Sequence, residues 1–147
     1  MKKIMFGLAA ATAIGAFAIE SANIVGYQQV ELTSKNTIVG INYLGVGGQA
    51  MSLNEAVPYV DGMTKGNSIN TADQIQIQTA TGGYTTYYMS NGKNAKGTGD
   101  VAGLDGKWAK GGTYAPTTDA IPAGKGAWFC RKGDANFEIT VARPFDL

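Results

Sequence analysis

The chain has 147 residues, with 12 lysine plus arginine against 11 aspartate plus glutamate and no histidine. The near-neutral balance argues against a nucleic-acid partner, which demands a basic face, and against binding to anionic lipid; the missing imidazole excludes every histidine-based triad and most metal sites. Charged residues make up 16% of the chain, below the roughly 25% of average soluble domains, and its 21 glycines are about twice the usual share, a composition of turn-rich exported β proteins rather than of disorder.

Lys2 and Lys3 open the sequence, an apolar run from Ile4 to Phe17 follows, and Ala16-Phe17-Ala18 supplies a small-x-small cleavage pattern. This is the build of a secretory signal peptide over residues 1–18. The run is shorter than the ~20 residues that span a bilayer, so no transmembrane anchor is expected in the mature chain. Glu20 stands five residues after Gly15, as in a type IV prepilin, but the polar stretch 21–34 is not the long apolar helix that class requires. No cysteine follows the leader to carry a lipid. The remaining residues, 19–147, carry ten basic against eleven acidic side chains and suffice for a single domain with its own core.

Strand signals dominate that domain. Residues 23–32 and 37–46 are β-rich and joined by the polar turn Thr33-Ser34-Lys35-Asn36. Ser52-Leu53-Asn54-Glu55 fits a capping box, and Pro58 stops the helix it opens, so one short helix is expected near 52–57. Residues 73–79 alternate, placing Ile75, Ile77 and Thr79 on one face and Gln74, Gln76 and Gln78 on the other. Gly82-Gly83 turns this strand into 84–90, and Asn91-Gly92 marks the next turn. The Gly-, Asp- and Lys-rich segment 91–120 is the loosest, with Trp108 and Tyr114 as its expected buried anchors. Near the end, Phe137, Ile139 and Val141 alternate inward against Glu138 and Thr140. Seven or eight short strands with one helix predict an all-β domain, a β-sandwich or flattened barrel; a β-roll with a helix across an open sheet is the alternative.

Lys125, between Gly124 and Gly126, is followed by a strand and by Gly rather than Ser or Thr, so it is no nucleotide-binding loop. The segment reads as a Pro122–Gly126 turn that sends Trp128 into the core. Cys130 shares a face with Trp128; were both to face outward, they would belong to an interface, and Cys130 would be the thiol to probe. As the only cysteine it forms no intrachain disulfide, and burial as a small hydrophobe is its commoner state. Asp61, Asp73, Asp100, Asp105, Asp119 and Asp134 mostly adjoin Gly or Thr, where aspartate caps turns, rather than forming a glycosidase pair; the stretch 100–105 lacks the spacing of a calcium loop. Tyr84, Tyr87 and Tyr88 on one strand, with Trp108, Tyr114 and Trp128, are candidates for a glycan-stacking platform or a protein interface, or else for plain sheet packing, and Tyr84, Tyr88 and Trp108 are singled out among them.

The succession of "ANIVGYQQV" (22–30), "ADQIQIQ" (72–78), "GGYTTYYMSNGK" (82–93), Trp108 and "AIPAGKGAWF" (120–129) resembles secreted β-rich surface proteins of planctomycete–verrucomicrobia-type bacteria. The resemblance covers most of the mature chain, leaves out the Gly/Lys/Asp insertion around 92–107, and implies an extracellular or cell-surface location with a structural role. It carries over no catalytic residue and no cofactor. The expectation is therefore a secreted, non-enzymatic surface protein acting by self-assembly into a homo-oligomer or polymer, or by adhesion. Strand donation by Asn23, Ile24, Val25, Tyr27 and Val30 is the expected route to assembly. The alternative is a carbohydrate-binding module that stacks a glycan on Tyr84, Tyr88 and Trp108.

Overall fold

A computed structural model describes residues 27–33, 35–40, 48–121 and 124–142; the leader and Asn23, Ile24 and Val25 lie outside them. In chain order the elements are β1 (Tyr27–Leu32), β2 (Asn36–Gly40), α1 (Leu53–Ala56), β3 (Gln74–Gln78), β4 (Tyr84–Met89), β5 (Trp108–Lys110), β6 (Gly126–Cys130) and β7 (Phe137–Ala142). The domain is all-β and sandwich-like. One sheet has the order β2-β6-β3-β4-β5, the other is the pair β1-β7, and neither closes into a barrel.

The two sheets share one bent ribbon. β2 pairs antiparallel with β6 from Asn36↔Cys130 to Gly40↔Gly126, and β1 pairs with β7 from Leu32↔Phe137 to Tyr27↔Ala142. Each pair continues the other, interrupted by a longer turn on the β6–β7 side than on the β1–β2 side. Such an unequal insertion bends a ladder and lets a strand pass from one sheet to the next.

Two buried side chains hold the bend. Arg131 donates through Nη1 to Leu32 O at 2.9 Å and through Nη2 to Ala135 O, and its guanidinium lies 5.4 Å from the Phe137 ring centre. Asp73 accepts from Lys132 N at 2.7 Å through one carboxylate oxygen and from Thr64 N at 2.9 Å through the other. On the outside, Lys35 Nζ donates to Gly133 O at 3.2 Å and to the Asp134 carboxylate.

The core lies between the sheets, built from alternate residues as the period-2 pattern requires. Leu32, Val39, Ile75, Tyr87, Met89, Trp108, Phe129 and Ile139 are all buried in it. Phe129 stands at its centre, edge-on to Trp108 at 5.7 Å and to Phe137 at 5.8 Å, the geometry that ring quadrupoles favour. Helix α1 closes one end through buried Leu53 and Ala56. Its start is fixed as the sequence suggests: Ser52 N donates to Glu55 Oε2 at 2.9 Å and Ser52 Oγ donates to the same atom at 2.6 Å.

Two expectations change, and the strand expected to pair between chains has a partner in its own chain. Tyr114 is exposed rather than an anchor. Trp128 does not enter the core; Phe129 does, and Trp128 faces out. Tyr27 and Val30, expected to donate a strand to a neighbour, are laddered to Ala142 and Ile139 of their own chain.

The Tyr87 hydroxyl donates to Asp119 Oδ2 at 2.6 Å. Burial first, then this bond and the Asp119 charge, push its pKa far above the ordinary tyrosine value; burial moves Tyr88 the same way. The unfolded chain therefore releases these protons at lower pH than the native one. Stability is fully present below about pH 10, the unfolded tyrosine value, and falls as pH rises beyond it. Urea unfolding above that pH is expected to show a shallower decline for Tyr87→Phe than for wild type. Identical slopes would contradict the assignment.

Candidate functional site

The side of the five-stranded sheet that faces away from the core carries the alternate residues of the same strands. Directly opposed residues share a face, so the register assembles three cross-strand rows. Asn36, Cys130, Gln74, Tyr88 and Ala109 form the first, Ile38, Trp128, Gln76 and Thr86 the second, and Gln78 stands opposite Tyr84 in the third.

Half of this face is covered by the chain itself. Tyr88 and Ala109 are buried with Ala72 and Leu104 in a second apolar cluster, against which Ile69 and Val101 pack. The Tyr88 hydroxyl donates to Thr113 O at 2.9 Å. The Gly-rich segment after β4 thus folds back as a lid on the β4–β5 end and removes Tyr88 from solvent.

The other half is open. Ile38 is 59% exposed, Tyr84 52% and Trp128 39%. They border a cleft of about 160 Å³, lined also by Gln76, Gln78 and Gly126, that runs into a shallower groove of about 400 Å³ reaching Asn36 and Cys130. Gln76, Tyr84 and Trp128 line both, so the two hollows form one trough. No lining residue carries a charge. Gly126 contributes no side chain, and a Cβ there would stand 3.0 Å from Ile38 Cγ2.

Of the aromatics weighed for stacking, Tyr84 and Trp128 lie in the trough, and Cys130, weighed with Trp128 as an outward-facing pair, stands at its edge. Tyr88 (1% exposed) and Trp108 (0%) are withdrawn from any stacking platform, because each is a core residue of its own cluster. Ile38 and Gln76 join Tyr84 and Trp128 there. The glutamine side was legible from the alternation of 74–78; Trp128 was not, since both parities of Ala127-Trp128-Phe129-Cys130 are apolar. Cys130 is half-buried at the trough's edge. Burial pushes its thiol pKa up, with Lys132 pulling it partly back, so at neutral pH it is a protonated, weak nucleophile.

Several of the aspartates weighed as acids are engaged in structure. Asp73 holds the ribbon bend, Asp119 accepts from Tyr87, and Asp100, Asp105 and Asp134 pair with Lys93, Lys65 and Lys35. Lys125 is exposed and leads into β6, not into a helix. Among the described residues no three His, Cys, Asp or Glu side chains converge as metal ligands, and no helix is long and apolar enough to cross a membrane. No protein-family model, curated protein or solved structure matches the chain.

Proposed function

We propose that the protein is a secreted, non-enzymatic surface protein that works by adhesion, holding a partner against the open half of its outer sheet face. The observation that carries this reading is the exposed row Ile38–Trp128–Gln76, flanked by Tyr84, on a sheet whose remaining outer surface is sealed by its own chain. An apolar and aromatic surface left open beside a sealed one fits a contact surface better than a packing accident. The leader at residues 1–18 supports export, and the resemblance to secreted surface proteins points to the same compartment.

Co-sedimentation with isolated cell envelopes tests the reading. Wild type is expected in the pellet, and the double variant Ile38→Thr/Trp128→Ala is expected to be retained at least ten times less with an unchanged circular dichroism spectrum. Equal retention of the two proteins would overturn it.

Self-assembly is the second reading, supported by a different feature. Among the described residues β1 and β7 form a sheet of two strands, and a sheet this small can be extended by further strands. Assembly of this kind would show as concentration-dependent size on a gel-filtration column, indifferent to the Trp128 substitution.

A further inference from the structure

We infer that the occupant of the trough is a neutral polysaccharide chain; the inference rests on the adhesion reading above and names its partner. The chemistry of the lining carries it. A sugar ring presents C–H groups on its faces and hydroxyls around its rim. Aromatic faces are electron-rich and attract such C–H groups while burying apolar area, and Trp128 and Tyr84 offer two of them from β6 and β4, with β3 between. Two strand spacings separate β6 from β4 by about 10 Å, a distance that lets one chain touch both rings.

Between the rings lie amides. Gln76 and Gln78 each combine an acceptor with two donors, the pairing that adjacent hydroxyls require. Gln76 is already oriented: its Nε2 donates to Gln74 Oε1 at 3.4 Å, and Gln74 Nε2 in turn donates to Ile69 O. This relay ends at Ile69, which packs against the cluster that closes the other half of the face, so part of the ordering cost of binding is met before the ligand arrives.

The alternatives fit less well. No charged side chain lines the trough itself; Lys125 lines the hollow that adjoins it at Gln78 and Gly126, and salt dependence separates a neutral partner from an acidic one. A stable protein interface occupies about 800 Å² per partner with a predominantly apolar centre, whereas here three strands present amides between isolated rings and the rest of the face is already covered. The volume of the groove, about 400 Å³, lies in the range of small-molecule sites, about 300–1,000 Å³.

The test uses the same envelopes, treated in one arm with periodate, which cleaves sugar diols, and in another with protease. Retention is expected to vanish after periodate, to survive protease, and to change less than twofold between about 0.05 and 0.5 M salt, across which the Debye length shortens severalfold. The chain has two tryptophans and Trp108 is fully buried, so Trp128 reports occupancy directly. Titration with neutral oligosaccharides released from those envelopes is expected to shift tryptophan emission. Gln76→Ala should raise the midpoint about tenfold while preserving the signal. Retention that resists periodate and is lost with protease would overturn the glycan assignment and leave the adhesion reading standing, with a protein as partner. Strong salt sensitivity would overturn the neutral class. Retention indifferent to Trp128 would overturn both readings.

Discussion

Replacing Trp108 by alanine is expected to lower the free energy of unfolding by about 3–5 kcal/mol, the range for large aromatic truncations in cores. The side chain is fully buried and meets Phe129 edge-on, and Phe129 meets Phe137 in the same way, so one indole supports the line of rings that joins the two sheets. Its Nε1 also donates to Val57 O at 2.6 Å, where helix α1 ends, and its backbone N–H donates to Asn54 Oδ1 at 2.7 Å. The indole thus ties the helix to the core. Trp108→Phe keeps a ring but leaves the Val57 carbonyl without its donor, a loss of about 1–3 kcal/mol. Against a total stability of about 5–15 kcal/mol, the alanine variant sits close to the unfolding threshold. Urea titration followed by far-UV circular dichroism checks this: the midpoint should fall with the slope unchanged. A wild-type midpoint would mean that the indole is not in the core.

Asp73→Ala is the second large effect, and its cause is polar. The buried carboxylate accepts from the backbone amides of Thr64 and Lys132. Without it two amides lose their acceptor, each at a cost of about 1–3 kcal/mol, so a total of about 2–6 kcal/mol is expected. Asp73→Asn should cost nearly as much, because its NH₂ would face one of two donors. The location of the loss separates this from general loosening. Lys132 lies in the turn of the ribbon bend, so amide hydrogen exchange should accelerate at Thr64, at Lys132 and along β7 before it does in β3 and β4. A uniform acceleration would contradict the clamp.

Local rules made much of the fold readable. Alternation in Gln74–Gln78 placed Ile75 in the core and the glutamines outside, because a strand has only two faces. Ser52 and Glu55 fixed the helix start because a capping box needs only four residues. Phe137 and Ile139 pointed inward for the same reason as Ile75. What escaped was set by partners distant in sequence. The side taken by Trp128 depends on Phe129 standing opposite Ile75, a register that no local pattern in Ala127–Cys130 encodes. Tyr88 looked available because strand parity puts it opposite Tyr87. The loop carrying Leu104 covers it, and a Gly-rich segment gives little warning that it will fold back as a second small core. The candidate site was therefore legible in kind, aromatic and uncharged, and in residue at Tyr84, while Trp128 stood among the aromatics weighed but with its face unassigned.

The shared ribbon bears on how the chain reaches this structure. β3, β4 and β5 follow one another and pair as neighbours, so they can assemble from a short stretch. β1 and β2 must instead wait for β7 and β6, roughly a hundred residues later, and β6 also supplies the second edge of β3. A polypeptide stopped ahead of β6 would leave β1 and β2 without ladders and β3 with a bare edge. Formation of the sandwich is thus gated by synthesis of its last quarter, and until then the early strands β1 and β2 stay without the partners that the finished fold gives them.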